Sequence, residues 1–318
     1  MLLNKQPIFI VGFTRGGTNI LLNLLRSHPD VCSPRGETQE VFKGKGHPLR
    51  AVIPRRQNTG ESIGTVMLKR FRYLPILKAE RRDVFDVNCW THRKPFKKQT
   101  QLKVDRILYD EKLRATGKNQ NFYKTEGIPY TLEEIAKARL LCKNINGLIF
   151  LSQEFHRMYP DATFIALIRN GLAVCEGHIR RGQATAEQIA RRYQAGCDQI
   201  IQDAESIPNY HVIRYEDLMA NPAETFRKVL SCAGLDVKKI SKVRLEATKV
   251  MRADGDYSVF KNRSYKELIW YDVKKIGDHF VADANENQIR RLSNESREII
   301  LRHAAPALNY FNYIHGNG

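Results

Sequence analysis

Apolar residues in this chain fall into short unbroken runs separated by helix-length amphipathic stretches. Pro7 precedes Ile8-Phe9-Ile10-Val11, and Thr163 to Ile168 is a second run of the same kind. Runs this short and rich in β-branched residues suit strands buried on both faces of a parallel sheet. His211 to Arg214 predicts a shorter strand. After the first run, Leu21, Leu22, Leu24 and Leu25 predict a helix to about Ser27, ended by His28-Pro29-Asp30 because proline cannot continue it. Thr131, with Glu134 three residues on, has the form of a capping box and predicts a helix to about Cys142. Gly147 to Tyr159 reads as an amphipathic helix stopped before Pro160, and Ala184 to Ala204 as a long one. Pro222 opens another in the first-turn position that proline favours, and Asn287 to His303 reads as the last. Strands alternating with helices predict an α/β fold, a parallel β-sheet flanked by helices on both faces.

Composition narrows this picture in two ways. With 318 residues, 42% of them hydrophobic, the chain can build a sizeable core, and with no obvious linker residues 1–318 read as a single domain. The net charge of +18 is not spread evenly. Residues 43–124 hold 21 Lys and Arg against 7 Asp and Glu, which leaves only +4 for the rest of the chain. Such segregation implies an anionic partner. The segment alternates basic clusters with aromatics, as in Lys69-Arg70-Phe71-Arg72-Tyr73, and is expected to be a mostly helical insertion. The start of the chain leaves no room for a signal peptide, and no apolar run approaches the roughly 20 residues of a membrane helix. A cytoplasmic protein with no membrane span is expected. The six cysteines form no CxxC pair and no zinc spacing, so they read as reduced thiols, with no metal site.

The first strand and helix flank Gly12-Phe13-Thr14-Arg15-Gly16-Gly17-Thr18-Asn19. Strand, glycine-rich turn and helix in that order converge backbone N–H groups on an anion and add the positive end of the helix. Arg15 adds a permanent charge with forked donors. The spacing echoes a nucleotide P-loop, but Thr18 stands at the lysine position and Asn19 where a Ser or Thr would bind Mg²⁺. A phosphate site without triphosphate chemistry is the reading, and it argues against a P-loop kinase of small molecules.

Arg15-Gly16-Gly17-Thr18-Asn19-Ile20-Leu21 followed by His28-Pro29-Asp30-Val31 resembles the 5′-phosphosulfate loop of sulfotransferases that use the donor PAPS. Their usual form is Arg-Ser-Gly-Thr-Thr, from which Gly16 and Asn19 depart. The resemblance continues in Ala166-Leu167-Ile168-Arg169-Asn170-Gly171, similar to the family's 3′-phosphate motif, in Tyr215-Glu216-Asp217-Leu218, and in Leu308-Asn309-Tyr310 near the end. It implies a P-loop-like sulfotransferase fold with residues 43–124 as an insertion. It also implies that Arg15, Gly16, Gly17, Thr18 and Asn19 hold the 5′-phosphosulfate. Arg169, Gly177 and Arg181 then lie toward the 3′-phosphate, with Gly177 where the family has a serine and able to offer only its N–H. Tyr215 would face the nucleotide, and Ser264 would be a late donor contact. Glu216 and Asp217 are expected to be structural. Glu37, in Gly36-Glu37-Thr38, matches the general base of the tyrosylprotein branch, with Glu40 and His28 as substitutes. Lys143, 26 residues before Arg169, matches the lysine that approaches the bridging oxygen, a role Arg15 would share.

The expectation is therefore sulfuryl transfer from PAPS to an acceptor hydroxyl, with PAP as product and no metal required. A carbohydrate or glycolipid is the first choice of acceptor and a tyrosylprotein the alternative. The basic, aromatic-bearing segment would also suit a non-catalytic binder of PAP or nucleic acid.

Overall fold

The computed structural model describes residues 1–3, 6–34, 37–38, 95–113, 123–247, 249–251, 257–259, 267–280 and 283–314. Strand β1 (Ile8–Gly12) leads through the glycine-rich turn into α1 (Thr18–Arg26) and the short β2 (Val31–Cys32). After α2 (Lys98–Leu113) and a small antiparallel pair, β3 (Tyr123–Thr125) with β4 (Ile128–Pro129), come α3 (Leu132–Lys137) and β5 (Arg139–Ile145). A 3₁₀ segment, Asn146–Leu151, runs into α4 (Ser152–Met158). Next are β6 (Thr163–Ile168), α5 (Gly171–Ile179), α6 (Ala186–Ser206) and β7 (Tyr210–Arg214). They are followed by α7 (Tyr215–Ala220) and α8 (Pro222–Cys232).

Strands β1, β2, β5, β6 and β7 form one parallel sheet in the order β2-β5-β1-β6-β7. Its alternating residues feed two cores. Ile8, Ile10, Leu141, Ile165 and Leu167 pack with α1 and α8 on one face. Phe9, Val11, Leu140, Cys142, Phe164 and Ala166 pack with α4, α6 and the last helix on the other. Burial on both faces is why β1 and β6 read as continuous apolar runs. Gly12 stands opposite Ile145 on one side and Leu167 on the other, so β1, β5 and β6 end level. The central strand's loop, Lys143 and Arg169 therefore share one edge of the sheet, where open α/β sheets bind ligands.

Beyond the sheet, β8 (Lys242–Ala247) pairs antiparallel with a later strand, β11 (Glu267–Asp272). Between them β9 (Lys249–Met251) pairs with β10 (Tyr257–Val259). The chain closes with α9 (Ala284–Ile289) and α10 (Asn294–Tyr310).

Three expectations need correction. The capping box at Thr131 and Glu134 is present, but its helix stops at Lys137 and residues 139–145 are the strand β5. The apolar Leu140-Leu141-Cys142 is buried on both faces of the sheet, and such a run cannot be assigned to strand or helix by period alone. The final helix is two helices, because the Ser293 hydroxyl accepts from Ser296 N–H and starts a new one. The helix expected over Gly147 to Tyr159 begins as 3₁₀. Of the basic segment 43–124, α2 is helical, while residues 43–94 and 114–122 lie outside the described residues.

Candidate active site

The loop between β1 and α1 is a tight turn with little room. Gly16 N–H donates to the Phe13 carbonyl at 2.9 Å, and a Cβ on Gly16 would meet that same oxygen at 2.9 Å. Gly17 has φ 86, a left-handed conformation that favours glycine, and a Cβ there would run into the Tyr215 ring. No side chain caps α1 and its first turn holds no acidic residue, so its leading N–H groups remain open to an anion.

Polar residues from three other elements pin this turn. Asn146, just past β5, accepts from Thr14 N–H at 3.1 Å through Oδ1 and donates to Thr14 Oγ1 at 2.6 Å through Nδ2. His178 Nε2, on α5, donates to the Thr14 carbonyl at 3.2 Å. Burial lowers the His178 pKa, which disfavours the charged ring, and the bond to a carbonyl oxygen requires the proton on Nε2. Arg169 Nη1 donates to the Arg15 carbonyl at 2.8 Å, its Nε to Asn285 at 2.7 Å and its Nη2 to Gln288 at 2.5 Å. The guanidinium also lies over the Tyr215 ring, 4.4 Å from the centroid. Burial pulls the Arg169 pKa down and the Tyr215 pKa up, the nearby cation opposing the latter.

Lys143 is a second buried cation of the site, 3% exposed on β5. Its Nζ donates to Glu37 Oε1 at 2.6 Å and to Asn19 Oδ1 at 2.6 Å. Glu37 keeps a side-chain exposure of 30%, so the pair sits at the lip of the sheet edge rather than sealed within it. A cation, a carboxylate and the first turn of the loop helix thus meet at one point.

Other sequence-predicted residues fall out differently. Gly177 lies inside α5, where its N–H belongs to the helix ladder, so the expected N–H contact to a donor is not offered there. Its position faces the Arg15 side chain, whose Cβ and Cγ would each be 3.1 Å from a Cβ on residue 177. Arg181 stands exposed in the turn after α5. His28 is committed structurally, Nε2 donating to the Asp236 carbonyl at 3.0 Å and Nδ1 accepting from Asp30 N–H at 3.2 Å, so it is no substitute base. Ser264 and Glu40 lie outside the described residues. Glu216, expected to be structural, joins three parts of the chain. Its Oε1 accepts from Asn170 N–H at 3.0 Å and Asn285 Nδ2 at 2.5 Å, and its Oε2 from the Tyr313 hydroxyl at 2.7 Å.

Asn146, His178, Asn285 and Gln288 were not picked out from the sequence. The first two are adjacent to motifs, three residues after Lys143 and one after Gly177. The last two carry no local signal. Among the described residues no cluster of three or more His, Cys, Asp or Glu is arranged to hold a metal, and no helix is long and apolar enough to cross a membrane.

The family model described as the sulfotransferase family matches residues 7–239, a span that includes the loop, Glu37, Lys143, Arg169 and Tyr215. The chain belongs to the sulfotransferase family. It is accordingly a transferase, and the family resemblance read from its motifs stands. Comparison with curated proteins gave no match. Among solved structures, the sulfotransferase domain of the olefin synthase of Synechococcus PCC 7002 is similar at 14% identity and TM-score 0.52, with 99% of this chain and 98% of that one covered. It shares the parallel sheet flanked by helices. The sulfotransferase domain of the curacin biosynthetic pathway (13% identity, TM-score 0.44, 93% of this chain and 96% of that) and mouse SULT7A1 complexed with PAP (13%, 0.38, 97% and 89%) are more distant.

Proposed function

We propose that this sulfotransferase moves a sulfuryl group from PAPS to a hydroxyl of an anionic acceptor, a glycan or glycolipid in the first instance. The observation that carries the reading is Lys143 Nζ standing 2.6 Å from both Glu37 Oε1 and Asn19 Oδ1. PAPS supplies a sulfuryl group activated by a phosphate leaving group. Two observations support a fit to such an anion. The N-terminus of α1 is uncapped. Arg15 Nε is buried with no hydrogen-bond partner among the described residues, and an unmet buried donor of that kind calls for an acceptor.

In this reading the open N–H groups of Gly17, Thr18 and Asn19, with the Arg15 guanidinium, hold the 5′-phosphosulfate. Arg169 keeps N–H hydrogens beyond its three bonds to protein and lies toward the 3′-phosphate with Arg181, while Tyr215 flanks the nucleotide. Glu37 takes the proton of the acceptor hydroxyl as that oxygen attacks sulfur. Lys143 orients Glu37 and, with Arg15, stabilises the charge that develops on the bridging oxygen as the sulfur–oxygen bond breaks and PAP leaves.

The acceptor reading rests on charge. Within the described part of the basic segment, Lys97, Lys98, Lys103 and Arg106 are all exposed around the N-terminal two-thirds of α2. A tyrosine hydroxyl in an acidic peptide is the alternative acceptor. Transfer of radiolabelled sulfate from PAPS across anionic glycans, glycolipids and tyrosine peptides tests the proposal. Wild type should label one of these classes, and Glu37→Gln should lose roughly 100-fold or more of that rate. Full activity in Glu37→Gln would remove Glu37 as the base, and label on none of these hydroxyls would contradict the acceptor assignment.

A further inference from the structure

Arg15 has almost no freedom in its backbone. It sits at φ 70, in the left-handed region that a non-glycine residue rarely occupies. Arg169 holds its carbonyl at 2.8 Å. The preceding residue, Thr14, is held at its carbonyl by His178 and at its N–H and hydroxyl by Asn146. What remains adjustable is the path of the side chain, and that path runs across α5 at Gly177. A Cβ at residue 177 would lie 3.1 Å from Arg15 Cβ, 3.1 Å from Cγ and 3.6 Å from Cδ. The first two are closer than ordinary van der Waals contact, and Cβ hangs directly from the pinned backbone. On the other side, Gly177 belongs to a helix turn buried from Gly171 onward, so α5 cannot easily retreat. At the far end of this path Arg15 Nε is buried without a partner among the described residues.

We propose that Gly177 is a positioning residue for Arg15: the missing side chain at 177 lets the arginine stem lie flat on α5 and aims its guanidinium at the donor's phosphosulfate. The inference rests on the donor reading above and adds to it. Glycine at 177 is then a requirement of this site, not the loss of a phosphate-binding side chain. Any Cβ there tilts Arg15 and weakens its grip on the anion, even a serine that brings a hydroxyl.

The test is a double-mutant cycle read by calorimetric titration of PAP, with wild type, Gly177→Ala, Arg15→Gly, which removes the Arg15 Cβ together with the stem, and the double variant, and Gly177→Ser alongside. In a helix interior alanine is intrinsically favoured over glycine, so thermal melting separates any folding defect from a binding defect. Gly177→Ala is expected to weaken PAP binding about tenfold, as loss of one charge-assisted contact does. Gly177→Ser should weaken it too. In the Arg15→Gly background the same substitution should cost nothing further. Wild-type PAP affinity in Gly177→Ala, tighter binding in Gly177→Ser, or an undiminished penalty in the Arg15→Gly background would each overturn the inference and leave the donor reading standing. Failure of the wild type to bind PAP would overturn the donor reading and this inference with it. If Gly177→Ala does not fold, recovery of the fold in the double variant supports the contact, and its absence contradicts it.

Discussion

Asn19 accepts a 2.6 Å hydrogen bond from the buried Lys143, across the gap between the loop helix and the neighbouring strand. This asparagine stands where the resemblance would place a threonine, and the bond gives it a use that its position in the motif does not reveal. The amide oxygen holds the lysine on one side while Glu37 holds it on the other.

Asn19→Ala removes one of the anchors of Lys143 Nζ. It should lower kcat roughly 10- to 100-fold, the scale of a lost hydrogen bond to a charged group, and change the PAP dissociation constant much less. Asn19→Thr keeps an oxygen near the lysine and should retain more of the rate. Steady-state kinetics beside PAP titration would check both, and equal loss in the two variants would count against the lysine-orienting role.

Gly17 cannot carry a side chain without displacing Tyr215, whose Cε2 would be 2.7 Å from the new Cβ, at a residue with φ 86. Gly17→Ala is expected to destabilise the protein by about 1–3 kcal/mol through strain and the displaced ring. Denaturant unfolding would measure this, and an unchanged midpoint would show that the turn relaxes freely.

Glu216 joins the end of β6, α9 and the C-terminal Tyr313 through three accepted bonds. Glu216→Ala leaves the Asn170 N–H and the Tyr313 hydroxyl without their acceptor and should cost about 2–4 kcal/mol. Because Asn285 also anchors Arg169, PAP binding should weaken as a secondary effect. A variant of wild-type stability with impaired catalysis would instead assign Glu216 a direct role.

Much of this was legible along the chain, for reasons that differ by residue. The β1 loop and β6 announce themselves because burial on both faces demands unbroken apolar runs beside glycine and arginine. Strand β5 was hidden. Its Leu140-Leu141-Cys142 run follows a genuine capping box, and nothing local says that the helix ends after six residues. Lys143 was therefore found through its motif and not through its strand. Asn285 and Gln288 were invisible because their partner, Arg169, is 116 and 119 residues away. The departures at Gly16, Asn19 and Gly177 became intelligible only in three dimensions, as a crowded turn carbonyl, a lysine anchor and the bed of Arg15.

Asp203, fully buried on α6, accepts from Gln153 at 3.2 Å and Gln199 at 3.0 Å, yet burial lifts its pKa from 3.8 to about 6. The folded state then holds a proton up to about 6 that the unfolded chain releases near 3.8, so this residue makes stability fall as pH rises through that window. Asp203→Asn should be more stable than wild type at pH 8, by about 1–3 kcal/mol, with the advantage gone at pH 4. Unfolding curves at the two pH values would check it, and a gain independent of pH would rule out the proton linkage.

The most direct test of the central claim is calorimetric titration of the wild-type protein with PAP in EDTA, followed by ATP with Mg²⁺. A loop that has Thr18 and Asn19 in place of the P-loop lysine and hydroxyl, flanked by Arg15, Lys143 and Arg169, should bind PAP at a single saturable site without divalent metal and bind ATP far more weakly. Tight Mg²⁺-dependent ATP binding with no heat from PAP would contradict the account.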